Sequence, residues 1–368
     1  MQGVIDIIYL DNSATTPLSD VAKQAMLEHL DDFGNPSSSY ELGRQSRLLI
    51  EDARERIAKC INAEPHEIYF TSGGSEANTW ALSSYTSMSS NIEHHSIRAN
   101  FDNIRAGQNG IVDPYSFSFI DHRYSRLFEL ASCMYVNNEL GTINPVKEIA
   151  AVVHGKGMLF HTDAVQALPH IPVDVKDMNC DMLSASGHKL GAPKGVGFLY
   201  VKKGTEISPL IHGGKQEQGH RGGTENVLGI ISMAAALEDT VKHMEERNAY
   251  VKRLRDKMLD QLLKIKGAHL NGSLENRVVS NINIRFDDVP GARLVTLCDL
   301  YGICISSGSA CNEGTPTSSH VLKAIGLSET EALNSVRITI GHQNTEEEIT
   351  TAAEIIAQLV ERVREDDI

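Results

Sequence analysis

Cysteine is scarce in this chain. Six residues (Cys60, Cys133, Cys180, Cys298, Cys304 and Cys311) are spread over 368 with no Cys-x-x-Cys pair, which excludes a disulfide framework and a zinc knuckle. Most are expected to be buried and reduced, as small hydrophobes in a core. Basic residues are also few: 34 Lys and Arg face 48 Asp and Glu, a net charge of −14 that argues against a polyanion-binding surface and so against a nucleic-acid partner. No apolar run is long enough to span a bilayer, the longest mostly apolar stretch being Leu228 to Leu237. The opening Met-Gln-Gly-Val-Ile-Asp lacks the basic and apolar regions of an export signal, so a cytoplasmic protein with no membrane partner is expected. The pair His94-His95 has no HxxxH or Cys/His quartet around it, and no metal site is expected.

What is present describes an ordinary globule, 41% apolar and 22% charged, long enough for one large or two unequal domains. Leu49, Ala53, Ile57 and Ile61 recur at helical spacing, then Glu67-Ile68-Tyr69-Phe70 reads as a strand running into the turn Thr71-Ser72-Gly73-Gly74-Ser75-Glu76. Short apolar strands at Met158 to His161, Met182 to Ala185 and Val196 to Val201 extend the pattern to an α/β domain with a largely parallel sheet, whose ligands would sit at the strands' carboxyl ends. After about residue 243 the pattern changes to a smaller α+β domain. It has a charged helix near Arg253 to Lys264, a strand Val279 to Arg285, a helix Ala292 to Tyr301 and a strand Ile303 to Ser306. A helix near His320 to Ile325, a strand Val336 to Ile340 and a final helix from Thr345 complete it. The polar stretch Lys242 to Asn248 fits inside one long connecting helix. The predicted division is residues 15–243 against residues 1–14 with 244–368.

Three constellations carry chemistry. Ser186-Gly187-His188-Lys189 directly follows an apolar strand, which sets a lysine among small polar residues where it can face a pocket. An amine so placed can hold pyridoxal 5'-phosphate (PLP) as a Schiff base and shuttle protons at a substrate's α-carbon. Asp163 ends a strand, with Gln166 one helical turn on. A carboxylate there can keep a pyridine nitrogen protonated, and the amide can bond a ring oxygen. Gly73-Gly74-Ser75 opens a helix, where backbone N–H groups can seat a phosphate. Taken singly, these read as a surface lysine, a helix-capping aspartate and a common glycine turn. Together they fit one cofactor.

Tyr9-Leu10-Asp11-Asn12-Ser13-Ala14-Thr15-Thr16 and Phe33-Gly34-Asn35-Pro36-Ser37-Ser38 resemble the opening of group I cysteine desulfurases, in the class V aminotransferase family of PLP fold type I. The resemblance continues in order through Thr71-Ser72-Gly73-Gly74-Ser75-Glu76, Glu93-His94, Val136-Asn137-Asn138-Glu139-Leu140-Gly141, His161-Thr162-Asp163-Ala164-Val165-Gln166 and Ser186-Gly187-His188-Lys189. His212-Gly213-Gly214, Arg221-Gly222-Gly223-Thr224-Glu225-Asn226, Ser306-Ser307-Gly308-Ser309-Ala310-Cys311 and Ser335-Val336-Arg337 extend it over nearly the whole chain. It implies a large domain with a mostly parallel seven-stranded sheet flanked by helices, plus a smaller α+β domain.

By the same resemblance Lys189 carries the cofactor, Asp163 pairs with its ring nitrogen and Gln166 bonds its ring oxygen. His94 stacks on the ring and acts in proton transfer. Gly74, Ser75, Ser186 and His188 hold the phosphate, and Thr224 reaches the phosphate of the neighbouring subunit of a homodimer. Asn138 and Arg337 grip the carboxylate of L-cysteine, with Asn35 close by. Cys311, in a run of Ser, Gly and Ala that permits mobility, takes the sulfur as a persulfide and delivers it to an acceptor such as an iron–sulfur scaffold or another carrier protein.

A selenocysteine lyase, another class V aminotransferase-like enzyme or an inactive binding subunit would share parts of this set. The thiol-bearing loop distinguishes the desulfurase from a transaminase, and retention of Lys189, Asp163, His94, Cys311 and Arg337 speaks against an inactive relative. Two departures from the family pattern stand out. Ser83 to Ser90 replace an apolar strand, which predicts an altered strand, and His342 follows Gly341 where an Arg is expected.

Overall fold

The computed structural model describes residues 7–98, 102–104, 106–117, 128–307 and 318–366. Two larger sheets and a two-stranded pair organise them, and period-two burial shows how the largest is made. Along its adjacent strands, Leu183, Phe198 and Tyr200 enter one core while Met182, Leu199 and Val201 enter another on the opposite face, beside Trp80. A sheet covered on both faces needs strands apolar on both sides, which the sequence supplies.

Chain order begins with β1 (Ile8–Tyr9), α1 (Asp20–Glu28), α2 (Glu41–Cys60), β2 (Ile68–Thr71), α3 (Gly74–Ser83), β3 (Ser87–Ser90) and β4 (Asp102–Ile104). It continues with β5 (Leu130–Ser132), α4 (Val146–His154), β6 (Leu159–Asp163), α5 (Val175–Met178), β7 (Met182–Ser186) and β8 (Gly197–Val201). The large sheet has seven strands in the order β2-β8-β7-β6-β5-β3-β4. Pairings from β7 through β4 are parallel, and β8 runs antiparallel to both its neighbours. The mostly parallel seven-stranded sheet is therefore present. His161 bridges three strands, its ring nitrogens 2.8 Å from Ser132 Oγ and 2.9 Å from Ser184 Oγ.

Residues Ser87–Ser90 do form a strand, and its irregularity is confined to the β4 side, where the register shifts between Ser89 and Ser90. β3 pairs in register with β5, and all four of its residues are buried. Small side chains fit between neighbouring strands, and the Ser90 hydroxyl is satisfied by the carboxylate of Glu93, which also accepts from Met134 N at 2.9 Å.

One helix, α6 (Val227–Leu262), ties the two parts of the molecule together. Its first half buries Ile230, Met233 and Leu237 in the large core, and its last turns bury Leu254, Met258 and Leu262 in a second core. Then follow β9 (Ala268–Leu270), β10 (Asn281–Phe286), α7 (Gly291–Leu300), β11 (Ile303–Cys304), β12 (Ser306–Ser307), α8 (His320–Ala324), α9 (Glu329–Leu333), β13 (Ser335–Thr339) and α10 (Glu346–Asp366). The second sheet is antiparallel, in the order β12-β13-β10-β9. The expected strand Ile303 to Ser306 is split: β11 pairs with β1, and β12 pairs with β13. The amino-terminal residues Ile8 and Leu10 belong to the second core, whereas Val321, Leu322 and Ala332 lean back onto the first. Among the described residues no helix is long and apolar enough to cross a membrane.

Candidate active site

A cavity of about 790 Å³ opens at the carboxyl ends of the large sheet's strands. Asp163 closes β6 and Ser186 closes β7, and a short 3-10 turn over Gly187–Lys189 then brings His188 and Lys189 to the same wall. Gly74, Ser75, His94, Asn138, Gln166 and Arg337 line it as well. Ten residues singled out in the sequence thus share one cavity.

At one end, α3 begins. Gly73 has φ +152°, a conformation open only to glycine, and it turns the chain from β2 into the helix. At Gly74 a Cβ would lie 2.7 Å from Val165 Cγ2, so the helix start can lie this close to the β6 exit only with glycine there. The first-turn N–H groups have no intrahelical partner, and they lie beside Ser186 and His188. Burial and the neighbouring charges of Lys189 and Lys194 hold the His188 imidazole down to about 4, so its ring is neutral at pH 7.

Asp163, almost fully buried, accepts from Asn78 Nδ2 at 2.7 Å and from Val165 N at 2.9 Å. Lys189 Nζ donates to the carbonyls of Ser13 (2.5 Å) and Ala14 (2.6 Å), and Gln166 Nε2 donates to the same Ser13 carbonyl at 2.9 Å. His94 is shifted to lower pKa by burial, against the opposing charge of Asp163, with His95 and Lys189 adding to the shift.

At the other end, register in the small sheet places Arg337 between Asn283 and Ser306. Its Nη1 donates to the Asn138 carbonyl (3.0 Å) and its Nη2 to Asp11 Oδ1 (2.8 Å), while Nε is buried with no partner among the described residues. Glu139, next along, is buried, and burial lifts its carboxyl to about 7 even though a hydrogen bond from Ser319 and the charge of Arg337 pull it down.

Asn35, expected close to the substrate carboxylate, and Thr224, expected at the phosphate of a neighbouring subunit, both lie outside this cavity's lining. Asn35 is exposed, its Oδ1 accepting from Ser37 N at 2.9 Å, and Thr224 is exposed as well. Their chain neighbours Pro36, Ser37 and Glu225 line a separate cavity of about 680 Å³. Cys311 lies outside the described residues. Cys133, Cys180 and Cys298 are buried, and Cys60 and Cys304 partly so.

Several wall residues carried no role in the sequence: Asp11, Ser13, Asn78, Glu139 and Ser319. Asn78 had a signal, since it stands one turn after Gly74 on the same helix face. Ser13 had none, because its backbone carbonyl makes the contact.

PLP fits this lining on two observations. Asn78 Oδ1 and Arg337 Nε are buried polar atoms without a hydrogen-bond partner among the described residues, and both residues line the cavity. The donor set also matches the group's parts, with an anion seat at a helix start, a buried carboxylate and an amine between them.

Residues 8–351 match the family Aminotransferase class-V. The chain is 40% identical over 374 residues to a cysteine desulfurase IscS of Methanosarcina thermophila, covering 97% of this chain and 93% of that protein. Among solved structures it is similar to a NifS-like protein, with TM-score 0.89 and 32% identity over 96% of this chain and 99% of the other. It is also similar to SspA in complex with cysteine, with TM-score 0.79 and 32% identity over 92% and 99%.

Proposed function

The chain belongs to the class-V aminotransferase family, among its cysteine desulfurases, and from that premise we propose how its residues divide the conversion of L-cysteine to L-alanine. The observation that carries the assignment is that Asp163, Lys189 and Arg337 face one cavity from three different elements. PLP, when bound, supplies the electron sink for chemistry at the substrate's α- and β-carbons.

Gly74 and Ser75 N–H groups, with Ser186 and neutral His188, hold the phosphate. Asp163 would set its charge against the cofactor's ring nitrogen, Gln166 would bond its ring oxygen and His94 would contact its ring. Lys189 anchors the cofactor and afterwards carries a proton at the α-carbon. Arg337 and Asn138 bind the substrate carboxylate, which takes over from Asp11 as the anion on the guanidinium. The Cys311 thiolate attacks the substrate's sulfur: a S–S bond forms, the Cβ–S bond breaks with its electron pair going to carbon, and a proton there completes alanine. Enzyme thiol plus cysteine thus yields enzyme persulfide plus alanine, and the outer sulfur passes to an acceptor protein such as an iron–sulfur scaffold. The structural neighbour solved with cysteine supports this substrate. Thr224 and Asn35, exposed on the single chain and away from its own cavity, are assigned to the shared active site of a homodimer, Thr224 on the neighbouring phosphate.

The test is the visible spectrum of the PLP-loaded enzyme before and after L-cysteine, with alanine and sulfide assayed together. Cysteine is expected to perturb the chromophore and release alanine. Lys189→Ala is expected to lose both the native chromophore and at least about 10²-fold in turnover. Cys311→Ala is expected to keep the chromophore and lose sulfide release. A wild-type protein that stays colourless with PLP supplied, or makes no alanine, would overturn the assignment.

A further inference from the structure

A run of hydrogen bonds along the cavity wall joins Asp163 to His94 through two side chains. Asn78 Nδ2 lies 2.7 Å from Asp163 Oδ2 and 2.9 Å from Ser96 Oγ, and Ser96 Oγ lies 2.8 Å from His94 Nδ1. The backbone N–H of Ser96 points at the same Nδ1, at 3.2 Å. We infer that Asn78 and Ser96 are positioning residues that hold His94 as the neutral tautomer with its proton on Nε2, so that His94 meets the cavity as a hydrogen-bond donor and not as a base.

The direction of each bond follows from the one before. An ionised carboxylate only accepts, so Asn78 must turn its NH₂ toward Asp163; the flipped amide would set two oxygens against each other at 2.7 Å. The second N–H of that amide then donates to Ser96 Oγ, and the hydroxyl hydrogen is left to donate to His94 Nδ1. The backbone N–H of Ser96, at the longer 3.2 Å, adds to the same preference, because it can never accept. Two donors aimed at Nδ1 leave the ring proton on Nε2. The orientation has a visible cost: Asn78 Oδ1 is buried with no partner among the described residues. Burial of His94, together with the charges of His95 and Lys189, outweighs Asp163 and favours the same neutral ring. Ile97 N and Arg98 N both bond the His94 carbonyl, at 2.9 and 3.2 Å, so the turn that aims Ser96 N is itself fixed.

This inference rests on the proposed function only for what the cavity holds, since the polarity of the chain is set by the protein's own groups. It sharpens the role expected of His94. Its Nε2–H can hydrogen-bond an electron-rich atom of the substrate or cofactor, but with Nδ1 already accepting twice the ring has no free lone pair to take a proton. The proton at the α-carbon is left to Lys189.

The experiment is NMR of ¹⁵N-histidine-labelled holoenzyme, with His94→Gln used to assign the signal. At neutral pH the expected spectrum has His94 Nδ1 unprotonated and Nε2 protonated; a protonated Nδ1 would overturn the inference. Ser96→Ala removes one of the two donors, and is expected to give mixed tautomer signals and a fall of about tenfold in kcat for alanine formation with KM little changed. Ser96→Thr keeps the hydroxyl and is expected to restore both. Wild-type signals and kcat in Ser96→Ala would count against the lock. If Nδ1 carries the proton in an enzyme that still makes alanine, the inference fails and the desulfurase assignment stands. If the tautomer is as expected but no alanine forms, the assignment fails and the lock stands.

Discussion

The two ends of the cavity are built differently. Asp163, Ser186 and Lys189 come from the adjacent strands β6 and β7 and the turn after β7, so ladder hydrogen bonds fix their spacing within one sheet. Arg337 and Asp11 come from β13 and the amino-terminal segment, both packed on the second core, and Asn138, from the loop after β5, reaches Arg337 only because that core is docked on the first. The sheet end is thus preorganised by secondary structure, while the docked end depends on how two packed bodies sit together. Lys189 spans both, for its amine belongs to the sheet side and its two carbonyl acceptors to the amino-terminal segment.

The contrast can be broken most severely at the sheet end. Asp163→Asn keeps the shape but removes the charge, and it reverses the demand on Asn78; a fall in kcat of about 10²-fold or more is expected, with PLP still bound, as read by spectrum and alanine assay. A fall in cysteine affinity alone would show that the carboxylate serves binding and not chemistry.

At the docked end the expected loss is smaller and of another kind. Arg337→Lys keeps a charge but not the planar fork, so KM for cysteine should rise about tenfold or more while kcat changes less. An unchanged KM would remove Arg337 from the carboxylate site.

The smallest effect is expected at Glu139, which joins the docked end to Ser319. Its carboxyl is raised in the folded protein, from an ordinary 4.5 to about 7, so the stability it contributes is complete below about 4.5 and lost as pH rises through about 7. Glu139→Gln has no proton to lose. The Tm of the variant should therefore gain on wild type between about pH 5.5 and about pH 8, as read by thermal unfolding at both. An equal Tm difference at the two pH values would show that Glu139 is already ionised.

How much of this was legible follows the same division. The lysine after an apolar strand, the aspartate ending another and the glycine turn before a helix are local patterns, and the structure brings all three to one cavity. A strand of Ser-Met-Ser-Ser was not legible, because its backbone pairing with β5 and the Glu93 carboxylate stabilise it and neither is local. The break between β11 and β12 was equally hidden, since both halves read as one apolar strand until their partners are known. Asn35 carries a family motif, yet no pattern in the chain says that it stands away from its own cavity; for Thr224 only the family resemblance pointed to a neighbouring subunit.

By itself the sequence determined the chemistry available and its order along the chain: an amine, a carboxylate and an anion seat at strand ends, an arginine in a late strand and a thiol in a loop. Those are set by residue type and by periods of two and 3.6, which act over a few neighbours. Only the tertiary structure decided that Asp11 meets Arg337, that Ser13 and Ala14 receive Lys189, and that Asn78 and Ser96 aim His94. Each of these last contacts joins residues brought together by packing, and a hydrogen bond has a direction only once both partners are in place.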